Sequence, residues 1–343
     1  MHSSLWDRLP AELQWLVLDA AGPLTLFLAG RLDAKGDAVK RAVWADALRL
    51  DWEGHLACLP AVDLHAEQAM CVCSQRMYWR LKALGVAHSG VLVHAAARNR
   101  IHSELAALDP ESRAEVAAAS GCVPLLADLV AAGVAVEPWL GFRAAAFGQA
   151  VVVEWLARHL PASADMTGVM DAAVASGQAA VVERLHELRG CSCSSWAAAE
   201  AVQRRHTAAV ALVVRLGLCD DIGQIARVAA CVPGSTASLD ALARAGHTHQ
   251  LAMHADRAAL GGPANLAWFA THLGGCFSTQ ALTAAAWAGK LASVEWLLRN
   301  IDGVDWDIAA AAAAADRSAV RAQTVELLHK HAASRRAQAG SRQ

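Results

Sequence analysis

Tyrosine is nearly missing from this chain, and phenylalanine is scarce. The 343 residues include one Tyr and five Phe against twelve Trp, and charged residues make up only 18% of the total. The formal net charge is −2. Because proteins that bind nucleic acid present a basic surface to the phosphates, this charge balance argues against nucleic acid as a partner.

The chain also lacks a long apolar run. The longest one, Ile308–Ala315, is far shorter than the ~18 residues that are needed to cross a bilayer. Residues 1–4 are followed by Leu, Trp, Asp and Arg rather than by the apolar core of a signal peptide. We therefore expect a protein of the cytoplasm or the nucleus that has no membrane partner.

Motifs for catalysis and metal binding are missing as well. There is no glycine-rich phosphate loop, no G-x-S-x-G and no H-E-x-x-H. The cysteines form C-x-C pairs at Cys71 and Cys191, not the C-x-x-C spacing of zinc sites. Cys191 and Cys219 lie 28 residues apart, which predicts small apolar plugs in successive repeats. We expect no enzyme activity, no cofactor and no metal.

What the chain does contain is a repeat. The sequence Val-Glu-Trp-Leu that begins at Val153 returns at Val294, and weaker copies recur every 27 to 31 residues. The last residue of each copy marks eight apolar positions. They are Leu129, Leu156, Leu185, Val213, Leu242, Phe269, Leu297 and Leu328. A fixed period in this range indicates stacked structural units.

Each repeat has the same internal order. A glycine stands eight residues before most of the apolar marks, and a short Ala-rich stretch precedes it. These glycines are Gly121, Gly148, Gly177, Gly234, Gly261 and Gly289, with Arg205 in the same position of the fourth repeat. Alanine favours helix and lets helices approach closely, while glycine ends a helix in the left-handed conformation. The pattern predicts an all-α fold in which each repeat is a pair of helices.

The pattern A-A-x-x-G-x-x-x-V-V-E-W-L resembles a divergent ankyrin repeat with Trp in its second helix, over about residues 112–332. The resemblance implies an α-solenoid of stacked helix pairs that binds a partner protein. The sequence departs from the ankyrin pattern in that no repeat opens with Thr-Pro-Leu-His. A helical array or bundle outside the ankyrin family is the alternative.

The N-terminal segment, residues 1–58, does not follow the repeat. Leu9, Pro10, Leu13, Leu16 and Val17 fit a short apolar helix. This stretch resembles the opening of an F-box, although residues 21–25 then break the helix. The resemblance implies that these five residues bind a Skp1-like adaptor of a cullin ubiquitin ligase. The alternative is a cap that covers the apolar edge of the first repeat.

Two further segments complete the predicted organisation. Residues 59–111 form a degenerate helical linker or first repeats, in which Ala95, Ala96 and Ala97 resemble the Ala-rich stretch. Residues 333–343 are a polar tail that we predict to be disordered. Two functions remain open: a substrate-recognition subunit of a Skp1–cullin–F-box ligase, and a plain interaction scaffold with an N-terminal cap.

A binding face is expected on the first helix of each pair, at positions that the core periodicity leaves unassigned. The candidates are Arg143, Phe147, Asp171, Ser176, Trp287 and Lys290. Exposed aromatic residues with charges nearby are typical of protein-binding hot spots. Alternatively, Phe147 and Trp287 fold back against a neighbouring loop. Trp155 and Trp296 are predicted to be core residues between repeats.

Overall fold

The computed structural model describes residues 37–49, 71–72, 74–84, 89–275, 277–301, 304, 306–315 and 322–340. Within these ranges every regular element is a helix and none is a strand, so the predicted all-α class is confirmed. The candidate adaptor-binding residues Leu9, Pro10, Leu13, Leu16 and Val17 lie outside the described residues. The chain forms two compact units, Met1–Leu160 and Pro161–Gln343.

The described part of the first unit contains eight helices. They are α1 Asp37–Arg49, α2 Gln75–Leu84, α3 Ser89–Arg98, α4 His102–Leu105, α5 Pro110–Ala119, α6 Val123–Ala131, α7 Pro138–Ala146 and α8 Ala150–His159. Helices α3, α5 and α7 pack side by side, and each contacts the helix that follows it in the chain. Helix α6 contacts α8. Helix pairs thus begin at α3, within residues 59–111, which were predicted to be a degenerate helical linker or first repeats.

The described part of the second unit continues the alternation. Its helices are α9 Thr167–Ala175, α10 Ala179–Arg189, α11 Ser195–Gln203, α12 Thr207–Leu216, α13 Ile222–Cys231, α14 Thr236–Arg244, α15 Thr248–Ala252, a 3-10 turn Ala255–Arg257, α16 Ala258–Gly261, α17 Pro263–Leu273, α18 Thr279–Trp287, α19 Leu291–Asn300, α20 Ile308–Ala315 and α21 Ala322–Gly340. Helices α9, α11, α13, α16, α18 and α20 contact one another in that order, and so do α10, α12, α14, α17, α19 and α21. The second unit is therefore built from a row of first helices and a row of second helices.

The eight apolar marks of the repeat are all buried, as predicted. Each one lies on the second helix of its pair, from Leu129 on α6 to Leu328 on α21. The first helices bury alanines instead, such as Ala144 and Ala145 on α7 and Ala197 and Ala198 on α11. Small side chains on one row and branched ones on the other allow the first helices to pack closely.

The same backbone turn joins the two helices of six pairs. The turn residue has a positive φ, between 55° and 77°, and the N–H of the next residue donates to a carbonyl five positions back. The turn residues are Arg100, Gly121, Gly148, Gly177, Arg205 and Gly289. This is the Schellman motif, which pairs the last carbonyls of a helix with backbone N–H groups alone. The predicted left-handed glycines are confirmed at these positions, and Arg205 adopts the same conformation.

Gly261 is the exception, and the prediction of a left-handed turn there was wrong. It is the last residue of the four-residue helix α16, and the positive φ falls on Gly262 instead. A Cβ on Gly261 would lie 2.3 Å from the carbonyl oxygen of Ala230 and 2.3 Å from Nδ2 of Asn265. Glycine is therefore required at this position because the chain passes close to α13, not because of its own φ.

Trp155 and Trp296 differ from their predicted place in the core. Both side chains are half-buried. The Trp155 ring stacks on His159 of the same helix at 4.1 Å, and the Trp296 ring meets Phe277 edge-on at 6.4 Å. Trp268, at the same position of its repeat, is buried, so the exposure of the indole differs from one repeat to another.

Helix α21 extends to Gly340, into the range 333–343 that was predicted to be disordered. In the part of the chain that the structure describes, no helix is both long enough and apolar enough to cross a membrane.

Candidate interaction surface

The first helices of the repeats carry large aromatic side chains on the side that the alanines do not occupy. Trp139 and Phe142 on α7 are 40% and 48% exposed, and Trp196 on α11 is 66% exposed. Trp139 and Trp196 share one register, nine residues before Gly148 and Arg205 respectively. Exposed Trp side chains are uncommon on a monomer surface and frequent at binding hot spots.

Arg143 and Phe147 lie at the same end of the first unit, within a set of contacts between neighbouring helices. The Nε of Arg143 donates to the Glu115 carboxylate at 2.5 Å, so the charged pair joins α7 to α5. The Phe147 ring lies 5.8 Å from the His94 ring of α3 and is half-buried. Phe147 therefore packs partly against α3, two helix pairs back, while Arg143 stays exposed.

The imidazole of His94 also takes part in this set of contacts. Its Nδ1 lies 3.3 Å from the hydroxyl of Ser120, which in turn donates to the carbonyl of Val116 at 2.6 Å. Burial lowers the pKa of His94, and the positive charge of Arg143 lowers it further. The imidazole is therefore neutral near pH 7 and can serve as a hydrogen-bond partner rather than as a charge.

Asp171 and Ser176 on α9 have structural partners. The Asp171 carboxylate accepts the N–H of Ser194 at 2.7 Å, which fixes the loop that leads into α11. Ser176 is the C-cap residue of α9, and its N–H donates to Ala172. Both side chains are half-buried, so their contribution to a partner surface is limited.

Trp287 and Lys290 stand at the end of α18. Trp287 is the last residue of the helix and is 57% exposed, and Lys290 is exposed directly after the turn residue Gly289. The N–H of Lys290 donates to the carbonyl of Ala285 and closes the turn. These two residues fit the predicted binding face best.

The six predicted residues do not form one cluster. Arg143 and Phe147 belong to the first unit, and the other four belong to the second. Within the second unit, α11, α13 and α16 lie between α9 and α18 along the row of first helices. Trp139, Phe142 and Trp196 were not among the predictions. Trp139 and Trp196 stand in the same position of their repeats, so the alignment of the repeats could have indicated both.

The row of second helices offers a different kind of surface. A groove of about 660 Å³ lies over α10, α12 and α14. Alanines line most of it, with Glu183, Arg215 and Arg244 as its charged residues. The Arg215 and Glu183 side chains approach to 3.6 Å, and both are more than half exposed. Solvent weakens such a pair, so the groove is an apolar trough with charges at its rim.

No set of three or more His, Cys, Asp and Glu side chains within the described ranges is placed to hold a metal ion. The arrangement on the first helices can offer aromatic and charged contacts to another macromolecule. The chain was compared with family models, with curated proteins and with solved structures, and none of them matches it.

Proposed function

We propose that the chain is a non-enzymatic scaffold that binds a partner protein through the first helices of an ankyrin-like solenoid. The observation that carries the proposal is the set of exposed aromatic side chains on the first helices, above all Trp196 and Phe142. A side chain of this size costs free energy when it is left in water, and burial against a partner recovers it.

The regularity of the helix pairs supports the ankyrin-like part of the proposal. Six pairs share one turn, and contacts recur between positions one repeat apart. Arg143 bonds to Glu115, 28 residues back, and the indole N–H of Trp268 donates to Asp240 at the same separation. Contacts of this kind between successive units are typical of repeat proteins with extended binding surfaces.

The test is a comparison of single substitutions in the full chain. A partner is first recovered from cells with the unmodified protein, and its affinity for Trp196→Ala and Phe142→Ala is then measured. We expect at least a tenfold loss for one of them, about 1.4 kcal/mol, with a thermal midpoint that changes little. Exposed hot-spot residues affect binding without supporting the core.

Val151→Ala is the matched control, because Val151 is 69% exposed but lies on the second helix α8. It should leave both affinity and melting unchanged. Equal affinity of the partner for all three variants and the unmodified chain would remove the first helices from the binding surface. A loss seen only with Val151→Ala would move the site to the second helices.

The sequence of residues 9–17 supports a narrower version, in which the scaffold is the substrate-recognition subunit of a Skp1–cullin–F-box ligase. Leu13→Glu should then abolish recovery of a Skp1-like adaptor while the thermal midpoint stays the same. If the segment is only a cap, the same substitution lowers the thermal midpoint, and the unmodified chain recovers no adaptor. Retained adaptor binding in Leu13→Glu would also reject the narrower version.

A further inference from the structure

Two free thiols from neighbouring loops of the second unit lie together in its interior. Cys193 precedes α11 and Cys219 precedes α13, and their side chains are only 7% and 5% exposed. Their loops have the same design, since Gly190 and Gly217 both end a helix in the left-handed conformation. The two cysteines are offset by one position within this design, which places them diagonally across the two loops.

Backbone bonds hold the two loops in register. The N–H of Cys193 donates to the carbonyl of Leu218 at 2.8 Å, and Cys219 is the residue directly after Leu218. Hydrogen-bonded chain segments run about 5 Å apart, within the Cα separation that a disulfide spans. The backbone bond to Leu218 brings Cys193 next to Cys219, and both side chains are buried. The Asp171 carboxylate holds the next N–H, that of Ser194, at 2.7 Å.

We infer that Cys193 and Cys219 are an oxidation site, at which a hydroperoxide converts the two thiols into one disulfide that links adjacent repeats. One thiolate attacks the peroxide, so that an S–O bond forms, the O–O bond breaks and hydroxide leaves. The second thiol attacks the resulting sulfenic acid, an S–S bond forms, and water leaves. The two thiols lose two protons and two electrons, and hydrogen peroxide takes them up to become two waters.

The reaction has a characteristic pH dependence. Burial raises the pKa of the Cys193 thiol to about 12, with the neighbouring Cys219 as the second cause, and burial also raises the pKa of Cys219. The thiolate is the nucleophile, and its fraction grows about tenfold per pH unit below the pKa. The rate of linkage should therefore rise steadily between roughly pH 7 and 9, without the plateau of an exposed thiol of pKa about 8.5.

The experiment uses the reduced full chain, hydrogen peroxide as the probe, and peptide mass mapping without reduction. We expect a peptide pair joined through Cys193 and Cys219, lighter by two hydrogens than the sum of its parts. The thermal midpoint should rise by roughly 5 to 10 °C, because the bond closes a loop of about 26 residues. Dithiothreitol should reverse both changes.

Cys219→Ser should lose the linked pair and the rise in the midpoint, whereas Cys122→Ser should keep both, because Cys122 is a buried thiol of the first unit. The mapping of the unmodified chain decides the matter even if Cys219→Ser fails to fold. Three results would overturn the inference: Cys193 linked to Cys191 instead, unlinked sulfinic acids at both positions, or linkage only after the chain has been unfolded in denaturant.

Discussion

The turns at Gly177 and at Gly234 look alike in sequence and in φ, which is +75° and +71°, but different atoms close them. At Gly177 backbone atoms close the turn, since the N–H of Gln178 donates to the carbonyl of Ala173 at 2.8 Å. After α13, near Gly234, the amide of Asn265 donates to the carbonyls of Ala230 and Val232 at 3.0 and 2.9 Å.

A turn glycine therefore does not determine which atoms form hydrogen bonds with the last carbonyls of the helix. The carbonyls at the end of α13 depend on a side chain from α17, more than thirty residues further along. The first helix of the pair that contains α17 is also broken, into α15, a 3-10 turn and α16. A turn that is closed by backbone atoms depends on the conformation of its own turn residue, whereas a turn that is closed by one buried side chain depends on a residue elsewhere in the chain.

The largest effect should come from Asn265→Ala. The side chain is fully buried, and its removal leaves the last carbonyls of α13 without donors. A buried polar group without a partner costs about 1–3 kcal/mol, so the loss of two donors should lower the free energy of unfolding by about 3–4 kcal/mol. Urea unfolding measures it.

Asn300→Ala is the control for Asn265→Ala. Its amide also donates to a backbone carbonyl, that of Trp296 at 2.8 Å, but at an exposed site where water can replace it. We expect a change below about 0.5 kcal/mol. Equal losses from the two substitutions would show that Asn265 does not close the end of α13.

Gly177→Val should come second. Valine is strained at φ +75°, and a Cβ would lie 2.5 Å from the His206 ring of the next repeat. We expect a loss of about 3 kcal/mol, of which about 1–2 kcal/mol is backbone strain. Gly190→Val has a similar φ with open space around it, so it should show the strain alone. If both variants melt at the same temperature, the contact with His206 does not matter.

Arg205→Gly should stabilise the fold. Arg205 makes the same turn as the glycines at φ +63°, where a side chain is unfavourable. The relief of strain exceeds the entropy that glycine adds to the unfolded chain, so we expect a gain of about 0.5–1 kcal/mol. Arg204→Gly, one residue earlier at φ −80°, should destabilise. A gain at position 204 or a loss at position 205 would contradict the common backbone turn.

The smallest effect concerns the pH dependence of stability in the first unit. Because the folded state lowers the pKa of His94 below the unfolded value of about 6.5, protonation favours unfolding. The stabilisation is complete above about pH 6.5 and is lost as the pH falls from there through the folded pKa. The thermal midpoint should fall between pH 7 and 5, and His94→Gln should reduce that fall. An unchanged slope in His94→Gln would assign the dependence to other groups.

The repeat pattern predicted the part of the fold that depends on local chemistry. Burial of the eight apolar marks follows from helical periodicity, and five of the six left-handed glycines follow from the way helices end. Gly261 was misassigned because its requirement is set by the approach of α13, which has no local signal. For the same reason the sequence did not indicate that Asn265 closes a distant helix.

The candidate surface was predicted less well, because exposure depends on how much room the neighbouring helix leaves. Trp155 and Trp296 are half-buried, whereas Trp268 at the same position of its repeat is buried. Asp171 was selected as a surface charge, but it accepts a backbone N–H from the next loop. Only Arg143, Trp287 and Lys290 among the six candidates are exposed.

Two of the turn glycines, Gly121 and Gly177, also lie against side chains of the following repeat. A Cβ on Gly121 would lie 2.3 Å from the amide oxygen of Gln149, and one on Gly177 would meet His206. At these positions the side chain of the following repeat packs against the hydrogen atom on the glycine Cα. This contact allows the shortest distance between neighbouring turns. A larger residue in place of one of these glycines would push the neighbouring turns apart on one edge of the stack. This position therefore gives protein engineers a way to introduce a local bend into a helical array.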